Sequence, residues 1–146
     1  MDYVLLNENH VGQVAALEAL CFSAPWSADA ICSELTNPLS VWYVAVEDGV
    51  VAGYVGSQSV LDEADMMNLA VLPEYRRNGV AKQLVLELVD HLKSQNVRCL
   101  TLEVRASNEP AIKLYECLGF SCIGRRPGYY HKPREDALIL RKEWDV

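Results

Sequence analysis

The stretch from Met66 to Val104 constrains the fold more than any other part of the 146-residue chain. Ala81, Leu84, Val85, Leu88 and Leu92 fall at i, i+3, i+4, i+7 and i+11, which puts them on one face of a helix from Gly79 to Ser94. Before it, Met66 to Leu72 is a nearly continuous apolar run, as a strand covered on both faces requires, and Pro73 stops it. After it, Arg98 to Val104 reads as another strand. A strand–helix–strand unit crosses over right-handed and leaves its two strands parallel.

The flanking segments cannot all be parallel. Val41 to Val46 and Val50 to Val60 are rich in β-branched and aromatic residues and flank Asp48-Gly49, the pair that best tolerates the positive φ angles of a tight hairpin. Upstream, Tyr3 to Leu6 reads as a first strand. Asn7 is expected to cap a helix from Glu8 to about Cys21 with Val11, Val14, Leu17 and Cys21 on its buried stripe. Ser27 caps a second, shorter helix carrying Ile31 and Leu35, which Asn37-Pro38 ends. Downstream, a fourth helix from Asn108 to Leu118 presents Ile112, Leu114, Tyr115 and Leu118, with Gly119 as its left-handed stop. Phe120 to Ile123 and Ala137 to Leu140 are the closing strands, separated by a polar loop from Arg125 to Arg134. The expected fold is α+β, one domain over residues 1–146, with a mixed, mostly antiparallel sheet of six or seven strands flanked by four helices.

Composition excludes several function classes. Hydrophobic residues make up 51% and charged residues 23%, so the chain has a core and is not a disordered or fibrous sequence. A net charge of −7 disfavours direct nucleic-acid or anionic-membrane binding and favours a basic partner. Five cysteines without a Cys-x-x-Cys pair suggest neither a disulfide framework nor a zinc site, and no metal is expected. The start lacks a basic and apolar leader, and no apolar run reaches the roughly 18 residues that span a bilayer, so a cytoplasmic protein is expected, favoured as a monomer.

Chemistry concentrates after Pro73. The turn Arg76-Arg77-Asn78-Gly79-Val80-Ala81-Lys82 opens the long helix, where unpaired N–H groups and the helix dipole attract an anion and Gly79 allows close approach. It is neither a Walker A loop nor a dinucleotide fingerprint. The pattern Arg76-x-x-Gly79-x-Ala81, preceded by Asn68-Leu-Ala-Val and followed by an amphipathic helix, resembles the acetyl-coenzyme-A signature of the GCN5-related N-acetyltransferase family. Leu102-Glu-Val-Arg-Ala-Ser-Asn108, Ala111-Ile-Lys-Leu-Tyr115 and Leu118-Gly-Phe120 resemble its second half.

Pro25-Trp26-Ser27, Leu61-Asp-Glu-Ala64, Tyr129-Tyr130 and Arg134-Glu-Asp-Ala137 narrow the resemblance to the branch that acetylates the amino-terminal alanine of small-subunit ribosomal protein eighteen. One departure is Arg126-Pro-Gly-Tyr129, which looks like an insertion beside the tyrosines.

The resemblance implies acetyl-CoA as cosubstrate, a basic ribosomal-protein amino terminus as partner, Glu103 as general base and Tyr115 as proton donor to the departing thiolate. It further implies that the backbone of Leu69, Ala70 and Val71 stabilises the oxyanion, that residues 76–82 grip the diphosphate, and that Asn108 holds the pantetheine arm. Glu63 and Tyr130 are expected to meet the peptide, and Trp26 and Tyr129 to narrow its slot. Asp62 and Asp65 read as an ordinary polar turn. Cys99 and Cys117 stand in apolar settings that make thiolate scarce, which favours direct attack by the amine over an acyl-cysteine. Two alternatives stay open at this point: an acetyltransferase for another protein or a small-molecule amine, and a coenzyme-A sensor without catalysis.

Overall fold

The computed structural model describes residues 1–144. Seven strands form one sheet in the order β1-β2-β3-β4-β5-β7-β6. They are β1 (Asp2–Leu5), β2 (Ser40–Glu47), β3 (Val50–Val60), β4 (Glu63–Val71), β5 (Cys99–Arg105), β6 (Ser121–Tyr130) and β7 (Glu135–Glu143). All neighbours pair antiparallel except β4 and β5, the two strands joined by the crossover helix. Among the described residues no helix is long and apolar enough to cross a membrane.

Two helices cover each face of the sheet. α1 (Val11–Cys21) and α2 (Ala28–Glu34) bury Val14, Leu17 and Ile31 against Trp42, Val44 and Tyr54. On the other face α3 (Val80–Ser94) and α4 (Glu109–Cys117) pack Leu84, Leu88, Leu92 and Tyr115 against Val55, Leu100 and Leu102. Asp48 and Gly49 both take positive φ, 50° and 79°, as the hairpin between β2 and β3 demands. Ser27 caps α2 by accepting from the Ala30 N–H at 3.1 Å.

Several local expectations are corrected. Asn7 does not cap α1; it closes its own turn, accepting from the Asn9 N–H at 2.8 Å and donating its N–H to His10 Nδ1 at 3.1 Å, so the helix starts later, at Val11. Glu63 and Asp65 belong to β4, and the turn lies at Leu61-Asp62, where Leu61 takes φ 57°. The supposed polar loop from Arg125 is strand as far as Tyr130. Its extra residues are absorbed as a bulge between Arg126, opposite Ala137, and Tyr130, opposite Glu135. Pro127 has no N–H to give the ladder and Gly128 turns with φ 61°, while the Asp136 carboxylate clamps the bulge through Gly128 N–H and Arg125, both at 2.9 Å. Cys117 is exposed and only Cys99 is buried, where enclosure pushes its thiol pKa up.

Candidate active site

The parallel pair is short. β4 and β5 share only the positions Glu63↔Cys99, Ala64↔Leu100 and Asp65↔Thr101, after which β4 runs on to Val71 and β5 to Arg105 without pairing to each other. The strands therefore splay, and a cleft of about 1180 Å³ passes between them from one face of the sheet to the other. Residues from both strands line it, together with Cys21 to Trp26, α4, and the Arg126 to Tyr130 end of β6.

Beyond the vertex, β4 offers its backbone to the cleft. The ladder to β3 slips at Met67, because Ser57 faces Met66 while Gly56 faces Asn68. Leu72 donates its N–H to Ala52 of β3 at 2.8 Å. Since successive N–H groups point to opposite edges, those of Val71 and Leu69 point away from β3, into the cleft. Ala70, between them, faces Tyr54 and directs its N–H at β3, so two of the three expected amides are offered to a ligand.

The α3 terminus lies just past the end of β4, beyond the 3₁₀ turn Pro73–Tyr75. Among the described residues the N–H groups of Val80, Ala81 and Lys82 have no hydrogen-bond partner, as at any uncapped helix start. Gly79 holds φ 76°, and a Cβ there would meet nothing within 4 Å, so the space in front of the amides is open. Arg77, at φ 66°, and Asn78 are exposed beside it. Arg76 behaves differently from the expectation: it turns back to the cleft, donating Nε to the Val71 carbonyl at 3.0 Å.

The two side chains expected to react enter from opposite faces. Glu103 alternates with buried Leu102 and Val104 on β5 and so lies on the α1 side. Its Oε1 is 3.8 Å from Arg126 Nη2, and its Oε2 is buried with no hydrogen-bond partner. Such an oxygen is costly unless something in the cleft donates to it. Tyr115 rises from α4, packed edge-on against Phe120 at 5.4 Å, and its hydroxyl reaches Met66 Sδ at 3.7 Å. Burial, and secondarily the Tyr130 phenol, push the Tyr115 pKa up to about 12. Tyr130 is likewise raised to about 12, by burial first and then by the Glu103 carboxylate. The guanidinium of Arg105 sits 4.4 Å over the Tyr130 ring and fixes it.

Asn108 caps α4, accepting from the Ala111 N–H at 3.3 Å, and lines the cleft with Tyr130. Glu63 is not brought there. It occupies the first register position of β4, between Val60 and Cys99, below the vertex. The sequence reading also missed contributors: Asp65, Cys21 and the Phe22 to Ala24 wall all face the cleft. No metal-holding group of three or more His, Cys, Asp or Glu exists among the described residues.

A sheet split at one parallel pair beside an open helix start is a geometry shared with known enzymes. The sequence profile of the acetyltransferase (GNAT) family matches residues 11–120. The chain belongs to that family. Among GNAT proteins it is 40% identical over 131 residues to a putative [ribosomal protein bS18]-alanine N-acetyltransferase of Bacillus subtilis, covering 89% of this chain and 87% of that one. It is 39% identical over 126 residues to the [ribosomal protein bS18]-alanine N-acetyltransferase of Escherichia coli, covering 85% and 84%. A crystal structure of an Escherichia coli ribosomal-protein-S18-alanine N-acetyltransferase superposes with a TM-score of 0.90 at 34% identity, covering 99% of this chain and 94% of that one. The GNAT assignment makes this chain an acetyltransferase and fits its seven-stranded mixed sheet with four helices.

Proposed function

We propose that the protein transfers the acetyl group of acetyl-CoA to the amino-terminal alanine of ribosomal protein bS18, a reading supported by the names of its relatives at 39–40% identity. The observation that carries the chemistry is the buried, unpartnered Glu103 Oε2 in the cleft between the splayed strands.

The residues present fit acetyl-CoA. The free amides of Val80 to Lys82 behind Gly79, with Arg77, suit a diphosphate, and Asn108 suits the amide-bearing pantetheine arm. When bound, this cosubstrate supplies an acyl group activated as a thioester. Glu103 accepts the proton of the incoming amine, directly or through water, as the nitrogen attacks. The Leu69 and Val71 N–H groups, directed away from β3, would donate to a carbonyl oxygen as it gains charge. Tyr115, held protonated by its raised pKa, donates to the departing sulfur.

The substrate's own acidity favours an amino terminus. An α-amine with a pKa of about 7.7–8.0 is substantially neutral near pH 7.4, whereas a lysine near 10.4 costs about 3–4 kcal/mol more to deprotonate. A lone carboxylate base is sufficient for the former. The net charge of −7 attracts a basic protein, and Trp26, Tyr129 and Tyr130 line the way in.

The test is to follow acetyl transfer to peptides that differ only in their first residue. The reading expects an amino-terminal alanine peptide to exceed free amino acids by more than tenfold. It expects Glu103→Gln to lower kcat by about 10²-fold with acetyl-CoA affinity retained. Equal rates on free amino acids would instead support a small-molecule amine substrate, and unchanged turnover in Glu103→Gln would remove the base.

A further inference from the structure

Glu18 is a fully enclosed carboxylate that the transfer reaction leaves unused. Every partner it has is a donor. The Tyr54 hydroxyl gives to Oε2 at 2.5 Å, the Asn68 amide to both oxygens at 2.9 and 3.1 Å, and the Trp26 N–H to Oε1 at 3.2 Å. No cation pairs with it among the described residues. A buried carboxylate held by neutral donors alone is an expensive arrangement, and one that a Leu on the same α1 stripe would avoid.

Two of its donors belong to the cleft: Asn68 and Trp26 both line it. Asn68 directly follows the bulge residue Met67. A slip of one residue turns every later side chain and every later N–H to the opposite side. Met66 packs on the α3 face, so unbroken alternation would return Asn68 to that face and would aim the Leu69 N–H at β3. With the extra residue, Ala70 packs in the α1-side core, Asn68 reaches Glu18, and the Leu69 and Val71 amides face the cleft. The same carboxylate also accepts from the backbone N–H of Trp26, in the segment between α1 and α2 that lines the cleft.

We propose that Glu18 is a positioning residue that locks the phase of β4 after its bulge and ties that phase to the Trp26 wall, so that one buried group sets both the acyl-binding amides and the peptide side of the cleft. This rests on the reading above that the Leu69 and Val71 amides receive the thioester oxygen. Glu34 provides the internal comparison. It is also buried and accepts from Gln58 Nε2 at 2.7 Å, Asn37 Nδ2 at 3.3 Å and Trp42 Nε1 at 3.4 Å, yet none of these groups lines the cleft.

The experiment compares Glu18→Gln, Asn68→Ala, their double variant and Glu34→Gln, using steady-state kinetics on an amino-terminal alanine peptide and calorimetric acetyl-CoA binding. Glu18→Gln and Asn68→Ala are each expected to lower kcat by about 10- to 100-fold, the range that ångström-scale misplacement produces. The double variant should fall no further than the worse single, because both break one link. Acetyl-CoA Kd should move less than about threefold, since the α3 terminus is untouched, and Glu34→Gln should keep kcat within about twofold while losing thermal stability. Should Glu18→Gln not fold by circular dichroism, Asn68→Ala, on a half-buried residue, carries the test from the β4 side. A kcat within twofold of wild type in Asn68→Ala or in folded Glu18→Gln overturns the proposal, as do effects that multiply in the double. A parallel Glu103→Gln separates the two readings. Loss of transfer there beside an unaltered Glu18→Gln refutes the positioning role alone, whereas retained transfer in Glu103→Gln refutes the catalytic reading beneath it.

Discussion

Replacing Tyr115 with Phe should separate activity from stability. The hydroxyl has one partner, the thioether of Met66 at 3.7 Å, which is a weak acceptor, and the ring stays packed on Phe120. Removing it strands no strong hydrogen-bonding group, so stability at pH 7 should change by less than about 1 kcal/mol. Alkaline behaviour should differ. The folded pKa of about 12 lies above the ordinary phenol value of 10.0, so the fold favours the neutral form. That contribution is fully present below pH 10 and is lost as pH rises through 12, and two units correspond to about 3 kcal/mol. Urea unfolding at pH 8, 10, 11 and 12 should show the wild type losing about that much more than Tyr115→Phe. Transfer, followed by thiol release at pH 8, should fall by about 10²-fold, near 2.7 kcal/mol of barrier. Turnover within threefold of wild type would remove Tyr115 as the acid, and parallel alkaline curves would refute the burial argument.

Two glycines test the scaffold. Gly79→Ala should cost about 1–2 kcal/mol because φ is 76°, with no clash inside the protein, yet weaken acetyl-CoA binding by tenfold or more in calorimetry because the methyl enters the open space before the α3 amides. In Gly56→Ala the new Cβ would lie 2.5 Å from the Trp42 ring, which is held edge-on by Trp26 and stacked on Tyr54. A loss of about 1–3 kcal/mol in urea and an altered near-ultraviolet dichroism are expected.

What the sequence disclosed was local. The α3 stripe, the Asp48-Gly49 turn, the Ser27 and Asn108 caps and the Gly119 stop each depend on residues within a turn or two of one another, and each stands as the spacing implies. The crossover from β4 to β5 followed from the order of elements, and the sheet splits beside the parallel pair to form the cleft that Glu103 and Tyr115 line. What stayed hidden depends on distant partners. Glu18 looks like a solvated helix residue until Tyr54 and Asn68, 36 and 50 positions away, close over it. The glycine at the slip, Gly56, is on β3 and not beside Met67, so β4 alone could not tell Ala70 from its neighbours as an amide donor. Glu63 was misplaced because the Leu61 turn starts β4 earlier than its apolar run does. In β6 the polar residues masked a strand, since an edge strand with a solvated face needs no apolar run.

The short pairing of Glu63, Ala64 and Asp65 with Cys99, Leu100 and Thr101 works as the pivot of a pair of compasses. Six residues of β4 beyond the pairing, Met66 to Val71, make a lever arm of roughly 20 Å at about 3.3 Å per residue. Ala64 and Leu100 are both sealed from solvent, so a substitution that moved either strand at the pairing would be carried out along that arm to the Leu69 and Val71 amides. The width of the cleft is therefore tied to three backbone pairings whose buried centre is an alanine and a leucine with no chemistry of their own.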